Sequence, residues 1–255
     1  MQLSIIVPAH NEEKRLAKML DEYLPFFARA YGNDFEMLVV INGSSDKTEM
    51  IARKYTAKYP QLRCIVEPRK IGKGGAIIVG FSQAGGALVG FVDADGSTPP
   101  SAFQDLVDNI GQADAIIASR WLKNAKVSPR QPWSRRMASR FFNMMVHILF
   151  GLHFSDTQCG AKLIKNSAVR QILPNLGITR WAFDVDLLLQ LRQAGYKIIE
   201  VPTVWHDVAG SRLEIGRTSM EMFAALVRLR LLYSPFKGVV DFYDRYFARF
   251  FNIEP

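Results

Sequence analysis

Between residues 3 and 118 the chain alternates short apolar runs with longer segments of helical spacing, and this alternation limits the fold more than any other feature. The runs at 3–7, 35–41, 63–67, 88–92 and 113–118 read as strands, and the segments at 12–31, 46–59, 74–84 and 100–110 as helices. Strands separated by single helices pair in parallel, because a parallel pair needs a crossover connection. The expectation is an α/β fold with a mostly parallel central sheet and helices on both faces. Such sheets bind ligands beyond the carboxyl ends of their strands, so the residues after Val7, Ile41, Val92 and Ala118 are expected to line a site.

After Pro132 the spacing predicts helices at 133–152, 168–173 and 183–194 and a strand at 197–201. Two further helical segments follow between 217 and 250, split near Ser234-Pro235, where proline ends a helix. This divides the chain into a globular domain over 1–213 and C-terminal amphipathic helices over 214–255.

The formal charge of +8 suggests anionic partners, among which charge alone does not choose. No basic and aromatic pattern of a nucleic-acid module is present, which argues against nucleic acid. The two cysteines, Cys64 and Cys159, lie far apart and encode neither a disulfide framework nor a zinc site, so a reducing compartment is expected. Residues 1–8 enter a strand directly, without the charged and apolar regions of a signal peptide. The apolar stretch 141–152 contains Asn143 and His147 and is shorter than the roughly 20 residues that span a bilayer, so it is able to lie on a membrane and not to cross one.

The strand ends hold the unusual residues. Asp93-Ala94-Asp95 offers two hard oxygen ligands at the ligand edge, suited to Mg²⁺ or Mn²⁺ shared with substrate phosphates, although aspartates are also common in turns. Pro8-Ala9-His10-Asn11-Glu12 places a carboxylate within reach of a ribose or base, with helix capping by Asn11 as the alternative. Asn42-Gly43-Ser-Ser-Asp46-Lys-Thr48 is suited both to meeting a nucleotide and to capping a helix. Gly72-Lys73-Gly74-Gly75 opens a helix with one cation, which favours a diphosphate there, and it is not a Walker motif because no Ser or Thr follows Lys73. Arg120 ends the fifth strand, and Arg135 and Ser139, four apart, share a helical face suited to a phosphate. His206 beside Trp205 reads as structural.

In order and wording these motifs, together with Asp156-Thr-Gln-Cys-Gly160, Arg180-Trp-Ala-Phe-Asp184, Trp205 and Gly210-Ser-Arg-Leu213, resemble glycosyltransferase family 2 over residues 2–213. Within it they are most similar to the polyprenyl-phosphate glycosyltransferases of the dolichyl-phosphate β-glucosyl branch. The resemblance implies a GT-A fold and an inverting, metal-dependent hexosyl transfer, glucose favoured, from UDP-glucose or another nucleotide-diphosphate sugar to a polyprenyl or dolichyl phosphate. It implies Mg²⁺ or Mn²⁺ on Asp95 and Asp93, with Asp93 on the metal or nearer the ribose. The nucleotide sugar falls to Pro8, Ala9, Asn11, Glu12, Asn42, Gly43, Lys73, Asp93, Ala94 and Asp95, and the acceptor phosphate to Arg120, Arg135, Ser139, Gln158 and Arg212. Lys73, Asp95, Arg120 and Arg135 are the expected catalytic groups.

Two positions depart from the family pattern. Ser97 stands where mannosyl relatives carry a metal-binding Gln, and Ile41-Asn42 where relatives carry an acidic pair, which leaves the choice between UDP and GDP open. A mannosyl or N-acetylhexosaminyl enzyme, a sugar-phosphate nucleotidyltransferase and a non-catalytic membrane module are the alternatives. Met220, Phe223, Ala224, Val227 and Leu231 at helical spacing, with Arg217, Arg228 and Arg230 between them, fit either a core helix or one lying in a headgroup layer. The aromatic residues from Phe242 to Phe251 favour a membrane surface, on its cytosolic face.

Overall fold

The computed structural model describes residues 1–129, 132–177, 182–207, 215–235 and 238, and over 215–220 the backbone alone. Its first half runs β1 (Leu3–Ala9), α1 (Leu16–Tyr31), β2 (Phe35–Asn42), α2 (Thr48–Thr56), β3 (Leu62–Glu67), α3 (Gly72–Gln83), β4 (Leu88–Phe91), α4 (Pro100–Asn109) and β5 (Ala115–Ser119). The second half adds β6 (Lys126–Ser128), α5 (Trp133–Phe150), β7 (Lys162–Lys165), α6 (Asn166–Ile172), α7 (Phe183–Gln193), β8 (Ile198–Pro202), β9 (Val204–His206) and α8 (Ile215–Leu232).

Seven strands form the central sheet in the order β3-β2-β1-β4-β7-β5-β8. All neighbours pair in parallel except β7, which runs antiparallel between β4 and β5. Two reversals cancel, so β4 and β5 point the same way as β1 and β2, and their carboxyl ends share one edge. Side chains of β1 alternate between faces: Leu3, Ile5 and Val7 pack under α1 and α4, and Ile6 under α3. Because both faces are covered, β1, β2 and β5 are apolar at nearly every position, which is why they appear in the sequence as apolar runs. Tyr23, Phe27, Phe35 and Phe103 interlock on the first face, with the centroids of neighbouring rings 5.7 to 6.5 Å apart. A buried side chain of that size stabilises by about 1.5–3 kcal/mol.

Four elements differ from the sequence expectation. α1 starts at Leu16 rather than at residue 12, because Asn11 takes a positive φ of 55° and the backbone N–H groups of Glu12 and Glu13 are drawn to Thr48 Oγ1 and Asp46 Oδ2. Capping of α1 by Asn11 is therefore not realised, and Arg15 occupies the N-cap position. β7 carries a lysine at each end and was not expected as a strand. The parallel pair β6 and β9 was not expected either; it hangs beyond β5 and carries Trp205.

α8 packs on α5, burying Leu226 and Leu229 in a cluster with Phe142 and Val146. Tyr233, just after α8, donates through its hydroxyl to the buried Asp186 at 2.6 Å. One face of this first tail helix is thus part of the folded body. The aromatic residues beyond 238, together with Arg212, Arg180 and Trp181, lie outside the described residues.

Candidate active site

The loops after β1 and β2 are stitched to each other. Asn11 Oδ1 accepts from the Ser45 N–H at 2.9 Å, and the Asn11 N–H donates to Ser44 Oγ at 3.1 Å. His10 Nδ1 lies 2.8 Å from the Asn42 carbonyl, and Asn42 Nδ2 donates to Ala9 O at 3.1 Å. Asn42 is buried and its Oδ1 has no partner. Gly43 adopts φ 57°, and a side chain there would strike the Lys70 backbone. Pro8, Ala9, Asn11, Glu12, Asn42 and Gly43 therefore form one continuous rim. Glu12 already accepts two bonds from Arg15, at 2.6 and 2.7 Å. Burial raises its carboxyl above the usual range against the pull of Arg15, and the nearby charges of Asp95 and Asp93 push it the same way.

The next wall comes from α3 and the β4 end. Gly72 opens α3 with φ 73°, and no side chain caps its first N–H groups, which leaves them to an anion. Gly74 lets α3 approach the start of α7 so closely that a methyl would sit 2.7 Å from the Phe183 ring. Lys73 is thereby held 2.7 Å from Asp93 Oδ1 and 3.9 Å from Asp184 Oδ2. Burial opposes its charge, yet the Asp93 and Asp184 carboxylates hold Lys73 above the ordinary lysine range. Burial raises Asp93, with Lys73 opposing and Asp95 adding to the rise.

Asp95 Oδ1 accepts from the Ser97 N–H at 2.9 Å, and Gly96 turns the chain with φ 74°. Asp93 and Asp95 are hard oxygen donors, and among the described residues no group of three His, Cys, Asp or Glu gathers as a metal cage. This donor set fits Mg²⁺ or Mn²⁺ held jointly with diphosphate oxygens, the usual arrangement for a cation that keeps few protein ligands.

The Ser97 carbonyl accepts from His206 N at 2.7 Å, which fastens β9 beside the Asp95 turn. β9 and the residue that follows it in turn meet both arginines. Arg120 lies 5.0 Å from the Trp205 ring, and the side chain of Arg135 reaches Asp207 at 3.4 Å. Arg120 is also bound through Nε and Nη2 to the fully buried Asp156, at 2.7 and 2.9 Å, and its own N–H joins them at 3.0 Å. Although burial disfavours its charge, Asp156 holds Arg120 well above the usual arginine range. The Nε edge of Arg120 is therefore taken, and Nη1 is the nitrogen not used on Asp156. Ser139 and Gln158 are half-buried, Ser139 one turn beyond Arg135, and His206 is exposed.

Three participants carry no motif that residue reading had assigned a role. Lys162 is wholly buried and binds Asp184 at 2.6 Å, while Gly160 lies against Asp93 Oδ2 so closely that a methyl would overlap it. Burial opposes the charge of Asp184, yet Lys162 and Lys73 hold its carboxyl below the usual carboxylate range. The run Asp156 to Asp184 had signalled only its own recurrence in a family. A lysine on an apolar strand is the one local hint of what lies beneath.

The sequence profile of glycosyl transferase family 2 matches residues 4–173. A Trichomonas vaginalis dolichyl-phosphate beta-glucosyltransferase is 34% identical over 225 residues, 84% of this chain and 66% of its own. The Saccharomyces cerevisiae enzyme of that name is 31% identical, covering 91% of this chain and 75% of its own, and the Homo sapiens one 33%, covering 91% and 76%. A crystal structure of glucosyl-3-phosphoglycerate synthase from Mycobacterium tuberculosis with uridine diphosphate superposes with a TM-score of 0.63 at 18% identity, over 90% of this chain and 79% of that one. Another structure of that protein, with Mn²⁺, uridine diphosphate and glucosyl-3-phosphoglycerate, gives 0.65. At that identity the likeness establishes the GT-A fold. With the profile matched over most of its length and relatives aligned across nearly all of it, the chain belongs to glycosyltransferase family 2.

Proposed function

We propose that this enzyme transfers glucose from UDP-glucose to the phosphate of a polyprenol such as dolichyl phosphate, with inversion at the anomeric carbon. The observation that carries the reading is the Ser97–His206 bond, which sets the arginine pair of β5 and α5 beside the carboxylate and lysine edge of β4 and α3. A donor diphosphate and an acceptor phosphate thus each have a cationic seat across one turn. The named relatives supply the sugar and the lipid.

A phosphate monoester loses its second proton at a pKa of about 6, so near neutral pH the acceptor oxygen is already an anionic nucleophile and no general base is needed. As that oxygen bonds to the anomeric carbon, the bond from the carbon to the diphosphate oxygen breaks and the electron pair leaves with the diphosphate. Lys73 and the free N–H groups of α3 face the charge that develops there, and Arg120 Nη1 and Arg135 orient the incoming phosphate. A divalent cation on Asp93 and Asp95 would supply further neutralisation of the leaving group. Asn42 Oδ1, buried and unpaired, suits a nucleobase N–H, since an orphaned acceptor in that position costs stability until a donor arrives. To test the reading, the protein is incubated with Mn²⁺, polyprenyl phosphate and each of a panel of UDP- and GDP-sugars, and the lipid product is identified. Glucosyl phosphopolyprenol from UDP-glucose is expected; a product from GDP-mannose alone, or none from any donor, overturns it.

We also place the acceptor at a membrane surface. Among the described residues no helix is long and apolar enough to cross one. α5, however, exposes Trp133, Met137, Phe141, Met144 and Ile148 in a stripe along one side, with Trp133 73% and Ile148 65% exposed. α8 adds Phe223 and Val227, and Arg136 and Arg140 flank the stripe over the Trp121 ring, at 6.0 and 5.4 Å. Eighteen helical residues extend this face over about 27 Å. Apolar side chains bordered by arginines are the pattern of a helix seated in an anionic headgroup layer. The Phe141→Asp, Ile148→Asp double variant is expected to melt as wild type does, because both side chains are exposed. It should lose most of its cosedimentation with vesicles containing anionic lipid, and undiminished vesicle binding contradicts the placement.

A further inference from the structure

Lys162 is the largest fully buried charged side chain in the described structure, and it sits where two lines of support for Asp93 meet. Its ammonium donates to the Cys159 carbonyl at 2.8 Å and to Asp184 Oδ1 at 2.6 Å, and lies 5.4 Å from the Phe91 ring. Taking a cation wholly out of water carries a penalty of several kcal/mol that an apolar residue of the same volume avoids, so packing alone does not account for a lysine here.

The first line of support runs through charge. Asp184 is shared between two ammonium groups, Lys162 at 2.6 Å and Lys73 at 3.9 Å, while Lys73 makes its short contact, 2.7 Å, with Asp93 Oδ1. The second runs through the backbone. Holding the Cys159 carbonyl fixes the next residue, Gly160, whose α-carbon faces the other oxygen of Asp93. One oxygen of Asp93 thus meets Lys73, which shares Asp184 with Lys162, and the other lies against Gly160, which follows the carbonyl that Lys162 holds. Without Lys162, the cation in ion-pair range of Asp184 among the described residues is Lys73, and attraction at low dielectric would draw it away from Asp93.

We infer that Lys162 is a positioning residue: by satisfying Asp184 it leaves Lys73 to orient Asp93, and so sets the affinity of the site for a nucleotide diphosphate with its cation. The inference rests on the reading of Lys73 and Asp93 as the diphosphate site. Support contacts of this kind around a metal ligand are worth 10- to 100-fold in affinity.

The test is calorimetric titration of UDP with Mn²⁺ into the full chain, at a temperature where circular dichroism shows each variant folded. Lys162→Met is expected to bind about tenfold more weakly than wild type. Lys162→Met combined with Asp184→Asn is expected to recover to within about threefold, because a neutral residue 184 no longer competes for Lys73. Lys162→Gln, which keeps a donor for both oxygens while losing the charge, serves where the methionine variant does not fold, and is expected to show the same weakening and the same recovery with Asp184→Asn. A purely structural lysine lowers the melting temperature without moving the affinity of the folded protein, so unchanged binding by these variants overturns the proposal. So does a double variant that binds as weakly as the single one or more weakly, since Asp184 would then act on the ligand itself. Failure of the wild-type protein to bind UDP or GDP with Mn²⁺ overturns the site reading and the proposal with it, whereas wild-type binding with unaltered variants overturns the proposal alone.

Discussion

Gly160→Ala is expected to lower kcat/KM for glucosyl transfer by about 100-fold, the scale of a catalytic group displaced by an ångström. The added methyl has nowhere to go. It meets the Asp93 carboxylate at Oδ2, while Oδ1 of the same group is fixed by Lys73 at 2.7 Å. The loop is equally unable to retreat, because the Cys159 carbonyl is anchored on buried Lys162. The substitution therefore turns Asp93 off its present orientation. Steady-state kinetics with UDP-glucose and a soluble polyprenyl phosphate measure the effect, and a melting curve separates it from unfolding. Wild-type kinetics in a protein that carries this methyl would mean that the orientation of Asp93 is irrelevant to transfer.

Asp156→Ala acts on stability first. Arg120 loses three hydrogen bonds from its backbone and side chain, and its guanidinium remains nearly buried, with 12% of the side chain exposed. Removing one partner of a buried ion pair typically costs about 3–5 kcal/mol because the other charge stays behind unpaired. For a chain of this size a loss of that order lowers the melting temperature by about 10 °C, which calorimetry reads directly. A pairwise control follows from the same physics: Arg120→Met with Asp156→Leu removes both charges and should recover much of the loss while removing one of the two arginines proposed to orient the acceptor phosphate. A melting temperature unchanged in Asp156→Ala contradicts the ion-pair account.

The parts of this fold that are legible in the sequence are those whose physics is local. A strand buried on both faces must be apolar throughout, so β1, β2 and β5 stand out as runs, and the carboxyl ends of parallel strands must share an edge, which brings Glu12, Asn42, Asp93 and Arg120 together without any knowledge of contacts. The features that escaped depend on distant partners. β7 has a lysine at each end, and Lys162 is tolerable inside the sheet only because Asp184, 22 residues further along, arrives on α7 to neutralise it. The start of α1 was misplaced for a similar reason. Asn11 and Glu12 have the composition of a helix start, but Thr48 at the start of α2 and Asp46 before it compete for the N–H groups of Glu12 and Glu13 and win.

The candidate site shows the same division. That Lys73 and Asp93 belong to it follows from a glycine-rich helix start and a strand end. That they bind one another, and that Arg120 spends Nε and Nη2 on Asp156, follows only from three-dimensional packing. The exposed stripe of α5 is intermediate: Trp133, Met137, Phe141, Met144 and Ile148 repeat at helical spacing in the sequence, yet only the packing of α5 against α8 and α7 shows which apolar face remains uncovered.

The most direct test of the central claim is transfer of labelled glucose from UDP-glucose to polyprenyl phosphate by wild-type and Asp95→Ala protein across a Mn²⁺ titration after chelation. Wild-type transfer is expected to vanish on chelation and return with Mn²⁺, and the variant to remain folded and inactive at every Mn²⁺ concentration. An Asp95→Ala protein that retains full, metal-dependent transfer contradicts the account.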